Sequence, residues 1–123
     1  MWRASLLAAT IAVAGAGAAW ADGDAERGAK KFEECAACHT LERTANTLGP
    51  SLYGVFERRA GTLADYRYSP AMKRSGITWT PEAVDKFLAD PQATVPANRM
   101  PYAGLPDAAA RADLIAFLVK TFK

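Results

Sequence analysis

The segment ECAACHT, Glu34 to Thr40, brings both cysteines and the sole histidine of a 123-residue chain within five positions. Three chemistries use such a cluster. A structural zinc site needs four protein ligands, commonly two separated pairs, and the chain has neither a third cysteine nor a second histidine. A thioredoxin-like redox pair sits where a strand meets a helix in a βαβ unit, and no convincing parallel strands are present in the pattern. The third is covalent attachment of a c-type haem, the chemistry of C-x-x-C-H. Two thiols one helical turn apart, Cys35 and Cys38, reach two vinyl groups on one edge of a macrocycle, and the adjacent His39 rises to the iron. The haem reading is therefore the one that the residues present can complete.

An iron held by His39 has a sixth position to fill. Without a second histidine, bis-His ligation is excluded, leaving Met100, Met72, a lysine or nothing. Met72 lies in a short helical stretch and reads as an ordinary core residue. Met100 stands between Pro96 and Pro101, in a stretch stiffened by prolines at 91, 96, 101 and 106 that reads as an extended loop. A loop so stiff has little need of methionine as a gap filler and can hold a thioether against iron.

The elements that must position these groups read as helices and loops. Asp22-Gly23-Asp24 opens a first helix with negative charge where the macrodipole favours it, and Ala25, Gly28, Ala29 and Phe32 follow at helical spacing up to Cys35. From Thr40 to Tyr68 there is little periodicity, and so long a loop belongs in a compact domain only if it wraps something. Ser69-Pro70 starts a short helix ended by Gly76. Thr80-Pro81 starts another, with a Val84, Phe87, Leu88 stripe, that stops at Asp90-Pro91. Asp107 caps a last helix whose Ala110, Leu114, Phe117, Leu118 and Thr121 line one face, with Ile115 beside it. The fold class expected is all-α.

Met1 to Arg3 followed by an uncharged run from Ala4 to Trp20, ending Ala19-Trp20-Ala21, has the order of a secretory leader, with cleavage expected after Ala21. The run is too short and too rich in alanine and glycine to serve as a good membrane span. Removing 21 of 123 residues leaves 102, one domain over 22–123. Loss of Arg3 leaves 14 basic against 13 acidic residues, a formal +1, and no basic run suggests nucleic acid. An exported cysteine pair would form a disulfide by default, but a two-residue loop gains little from that staple.

The stretches GDAERGAKKFEECAACHTLE, LGPSLYGVFERRAG, YRYSPAMKRSGITW and VPANRMPYAGLPDAAARADLIAFL, in this order and spacing, resemble the class I c-type cytochromes of the mitochondrial and bacterial soluble type, over Gly23 to Lys120. The resemblance implies a single-domain fold whose first and last helices cross, Gly28 and Phe32 meeting Leu114 and Phe117. It implies one haem c bound through Cys35 and Cys38 and ligated by His39 and Met100. Pro50 would offer its carbonyl to the His39 ring, Tyr68 and Trp79 would bond a haem propionate, and Arg58 would offset its charge. Asn98, where relatives have threonine, joins this cofactor-binding set. Other departures are Phe87 for a tyrosine near the methionine sulfur, Ala97 for glycine, Gln92-Ala93 for a pair of lysines beside the haem edge, and a shorter, acidic approach to Cys35.

Two firm axial ligands leave no open position for substrate, so the site suits electron transfer rather than enzymatic or oxygen chemistry. The expectation is a periplasmic, monomeric single-electron carrier with no stable membrane insertion. A bc-type complex or periplasmic dehydrogenase would be its donor, and an oxidase or photosynthetic reaction centre its acceptor. The competing reading, a haem sensor or weak peroxidase with a detachable Met100, is disfavoured by the stiffness of the methionine loop.

Overall fold

A computed structural model describes residues 7–10, 19–43 and 45–122. Most of the leader expected over 1–21 therefore lies outside the described residues. Its last part does not: Ala19–Asp22 forms a 3-10 turn, and Trp20 packs against the hydrophobic core. The bond expected to be cleaved, Ala21–Asp22, lies inside that turn.

Among the described residues, five helices follow. Helix α1 spans Ala25–Ala36, and Asp24 caps it by accepting the Arg27 N–H at 2.8 Å. The cap residue is itself anchored, because its own N–H donates to Asp113 Oδ1 at 2.8 Å on the final helix, α5, Ala108–Thr121. Gly28 and Phe32 are buried on the α1 face turned to α5, whereas Ala29 is exposed. A Cβ at Gly28 would overlap the Asp113 carbonyl and lie 2.8 Å from Phe117 Cβ, so glycine alone allows the helices to cross this closely. Phe32 and Phe117 meet with ring centroids 5.4 Å apart. The Arg27 Nε–Asp113 Oδ2 bond of 2.9 Å closes the crossing at the surface.

Helices α2 (Pro70–Arg74) and α3 (Pro81–Ala89) begin as their sequences require. Ser69 Oγ accepts the Met72 N–H at 3.0 Å, Thr80 Oγ1 accepts the Ala83 N–H at 3.1 Å, and each helix carries proline in its first turn, where no backbone donor is needed. Gly76, with φ +69°, reverses the chain after α2. The stretch after Asp90 is not extended throughout: Asp90 caps one more helical turn, α4, Pro91–Thr94, by accepting the Ala93 N–H at 3.1 Å. Proline at the first position of that turn favours it, and its later neighbours Pro96, Pro101 and Pro106 do lie outside helix.

In α5, Leu114, Ile115 and Leu118 are buried, and Ile115 is fully so. Ile115 is thus central rather than beside the apolar face. Thr121 is exposed, its hydroxyl donating to the Phe117 carbonyl at 2.8 Å. The physical reason is that α5 contacts both α1 and α3, which covers more of it than a single stripe. Arg111 ties α5 to α3 by bonding Asp85 Oδ1 at 2.8 Å and the Leu105 carbonyl at 2.8 Å. Each fully buried Leu or Ile of this helix stabilises by about 1.5–3 kcal/mol. Among the described residues the only β-bridge is an isolated antiparallel one, Arg59 with Thr78. The fold is all-α, as expected.

Candidate functional site

The loop from Thr40 to Tyr68 does wrap something: a cavity of about 410 Å³, in the range of a cofactor site, that it shares with α1, α2, α3 and α5. Cys35, Cys38, His39 and Met100 all line it, and most of its surface is apolar, with Val84, Phe87, Leu88, Leu114 and Leu118 among its walls. Cys35 is the penultimate residue of α1, and the Cys38 and His39 N–H groups both donate to its carbonyl, at 3.1 and 2.9 Å. The motif thus continues the helix by one tight turn that turns both thiols and the imidazole to one space.

His39 is set by a distant loop. Its Nδ1 lies 2.7 Å from the Pro50 carbonyl, and because a carbonyl only accepts, Nδ1 carries the proton and Nε2 keeps its lone pair. Burial pushes the imidazole pKa below its usual value, with the nearby Arg58 charge acting the same way against the opposing Pro50 bond. The ring is therefore held neutral, the form that ligates metal. Gly49 lies under it: a Cβ there would stand 2.6 Å from His39 Cε1. The Gly49 N–H donates to the Cys38 carbonyl at 2.7 Å, joining loop to motif.

The loop that carries Met100 is locked from within. Asn98, buried, donates from Nδ2 to the Pro91 and Val95 carbonyls at 3.0 and 2.9 Å, and its Oδ1 accepts the Met100 N–H at 2.9 Å. Gln92 adds a second clamp, donating to the Asn98 carbonyl at 3.0 Å and accepting the Ala97 N–H at 3.1 Å. Asn98 does not itself line the cavity. Its side chain is spent on the loop backbone, so the contribution of Asn98 that the structure describes is to hold the segment that carries Met100.

Arg58, Tyr68 and Trp79 line the same cavity. Arg58 is fixed by donating to the Ser51 and Tyr53 carbonyls at 2.9 and 3.1 Å, and burial lowers its pKa. Burial raises that of the Tyr68 phenol, whose oxygen accepts the Leu63 N–H at 3.4 Å. The Trp79 backbone is pinned to Arg58 and Glu57, and its ring meets Phe87 edge-on at 5.2 Å. Phe87 does face the cavity that Met100 lines. Met72, read from the sequence as plain core, lines the cavity, and so do Arg67 and Arg99, to which the sequence reading gave no cofactor role. The tyrosines flanking Arg67 and the adjacency of Arg99 to Met100 were the available signals.

These groups fit a haem. The apolar walls suit the macrocycle, the two thiols its vinyl edge, the free Nε2 and a thioether its iron, and the half-buried cation with phenol and indole its carboxylates. The rival chemistries do not fit. Among the described residues no three His, Cys, Asp or Glu side chains gather to hold a metal ion. A redox dithiol is marked by a depressed thiol pKa, whereas burial first, and then the Glu34 charge, push Cys35 up to about 11.

Comparison with known proteins agrees with this geometry. The family model for cytochrome c matches residues 25–122. The chain is 45% identical over 102 residues to a cytochrome c of Euglena viridis, covering 82% of this chain and 99% of that protein. It is 46% identical over 87 residues to cytochrome c2 iso-2 of Magnetospirillum fulvum, covering 71% and 91%. With cytochrome c2 of Rhodopila globiformis it shares 45% identity over 97 residues, covering 78% and 92%.

Proposed function

The chain belongs to the cytochrome c family, whose members carry covalent haem c and transfer electrons, and from that premise we propose that it is a soluble, exported single-electron carrier with His39 and Met100 as axial ligands. The observation that carries this reading is that both thiols, the neutral imidazole and the thioether line one apolar cavity. Haem, when bound, supplies a one-electron iron couple. Cys35 and Cys38 hold it covalently. His39 presents Nε2, with Pro50 fixing the tautomer and strengthening the ligand. Met100, a soft thioether, favours the reduced iron, and the apolar walls act in the same direction by disfavouring net charge. Tyr68 and Trp79 would hydrogen-bond a haem propionate, and Arg58 would offset its charge.

The His39 ring and the Met100 backbone are each held by hydrogen bonds, which keeps reorganisation small when charge changes. A locked Met100 segment also leaves no coordination position for substrate, which supports a carrier over an enzyme. Export with cleavage after Ala21 places the protein in the periplasm. Because Trp20 is seated on the core, that cut is expected before the domain closes. A bc-type complex or periplasmic dehydrogenase is the donor class, and an oxidase or reaction centre the acceptor class. The near-neutral mature chain, with Lys30, Lys31, Lys73, Arg74 and Arg99 as its local basic groups, suits weak docking of a monomer with modest salt dependence.

The test is the spectrum of the purified ferrous protein with and without carbon monoxide. The carrier reading expects little or slow binding. Rapid, complete binding by the native form would overturn it.

A further inference from the structure

A second cavity, of about 460 Å³, opens on the face formed by α2, α3 and the end of α4, apart from the haem cavity. Its residues divide by chemistry. Ala71, Ile77, Ala83 and Val95 give it apolar walls, Val95 being buried. Arg74, at the end of α2, and Lys86, on α3, both line it, and so do Ser75 and Thr94. No carboxylate is among the described lining residues. The acidic groups nearest in sequence are otherwise placed or turned aside: Asp85 bonds Arg111, Asp90 caps α4, and Glu82, one turn before Lys86, does not line the cavity. Among the described residues neither Arg74 nor Lys86 has a carboxylate within ion-pairing distance.

Two cations that are not neutralised internally, converging on one apolar-walled cleft from different helices, form a complement for a small anion bearing an apolar body. The Thr94 hydroxyl is already spent on the Lys86 and Asp90 carbonyls at 3.1 and 3.0 Å, whereas the Ser75 hydroxyl can donate one further bond to an anion. A guanidinium paired with an ammonium matches a tetrahedral dianion, since the fork takes two oxygens and the point charge a third.

We propose that this cleft binds an organic phosphate monoester, the phosphate between Arg74 and Lys86 and the organic group against Ala71, Ile77 and Val95. The proposal is independent of the axial ligand assignment, because none of these residues lines the cavity shared by Cys35, Cys38, His39 and Met100.

The test uses the ferrous holoprotein, which is diamagnetic, labelled with nitrogen-15 and titrated at constant ionic strength with phenyl phosphate and, separately, with inorganic phosphate. Saturable amide shifts confined to Ser75, Ile77, Ala83 and Thr94 are expected with phenyl phosphate. Inorganic phosphate should bind about tenfold more weakly, for want of an apolar body, and the exposed double variant Arg74→Gln, Lys86→Gln should weaken phenyl phosphate at least as much. Equal binding of the two probes would overturn the organic part of the assignment. Shifts that never saturate, that centre on Lys30 or Arg99, or that survive in the double variant would overturn the site.

Discussion

Replacing Asn98 with alanine is expected to free the Met100 segment while leaving the cofactor attached. The side chain makes three hydrogen bonds, to the Pro91 and Val95 carbonyls and from the Met100 N–H. At about 1 kcal/mol net for each, and with buried partners left unsatisfied, the loss is about 3 kcal/mol. All three lie within residues 91–100 and are lost both when this loop opens and when the chain unfolds, so the cost lowers the free energy of local opening and of global unfolding alike. A loss of that size raises the opening equilibrium by roughly a hundredfold. Imidazole binding to the ferric holoprotein reads this directly, since imidazole competes only when Met100 has left. Its apparent affinity should rise by about two orders of magnitude, with a fall in the guanidinium unfolding midpoint that corresponds to the same loss of about 3 kcal/mol. Asn98→Thr, able to supply one donor and one acceptor, should fall between. An unchanged imidazole affinity in Asn98→Ala would refute the assignment of this side chain as the lock.

Ala97 has φ +68° and is exposed. Relief of left-handed strain, about 1–2 kcal/mol, exceeds the added freedom of unfolded glycine, about 0.4–1 kcal/mol, so Ala97→Gly should raise the urea midpoint; a lower midpoint would refute the strain argument. Gly28→Ala forces a methyl into the Asp113 backbone, which cannot swing aside as a side chain can, and should cost about 3 kcal/mol, seen as a drop of roughly 15 °C in Tm by circular dichroism. An unchanged Tm would mean the helices do not cross this closely. The Arg27 bond, then the Asp24 N–H, hold the Asp113 carboxyl below its ordinary value of 3.8. A depressed folded-state pKa gives stability present above the unfolded value and lost as pH falls through the folded one, so the α1–α5 clamp should weaken below about pH 4. Asp113→Asn should flatten that part of the acid-unfolding curve, and an unaltered curve would count against the clamp. Phe87→Tyr introduces a phenol into the cavity that Met100 lines; a hydroxyl bonded to the sulfur should raise the reduction potential by a few tens of millivolts, on the order expected for one such bond. A potential that stays put or falls in redox titration would show that the hydroxyl does not reach Met100.

Local signals in the sequence were reliable wherever one residue did one job. Asp24, Ser69, Thr80 and Asp107 cap as their positions suggest, because a side-chain oxygen two or three residues before a bare N–H meets it regardless of tertiary context. The cluster at Cys35, Cys38 and His39 was legible for the same reason: its geometry is one helical turn. What escaped depended on neighbours. Pro91 reads equally as the end of α3 and the start of α4, and only the Asp90 carboxylate tips it to the second. Thr121 and Ile115 exchange places relative to the apolar-face reading because α3 covers α5 from a side that periodicity does not register. Gln92 reads as the absence of a lysine, yet its amide is a clamp on Ala97 and Asn98, five and six residues on, visible only once the chain has curled back. Met72 reads as core and is a cavity wall, since the two environments are equally apolar.

The Pro50 carbonyl that fixes His39 comes from eleven residues downstream, and Met100 from sixty-one residues beyond the histidine. The groups assigned to covalent attachment, by contrast, lie three positions apart. Attachment is therefore a short-range event that an unstructured chain can present, whereas ring orientation and the second axial bond close loops of increasing length and await the folded topology. These separations favour one order of assembly for the proposed site: a tethered but unfolded polypeptide first, with ligation by His39 and Met100 following once α5 has docked on α1 and the segment from Pro91 to Met100 has curled shut.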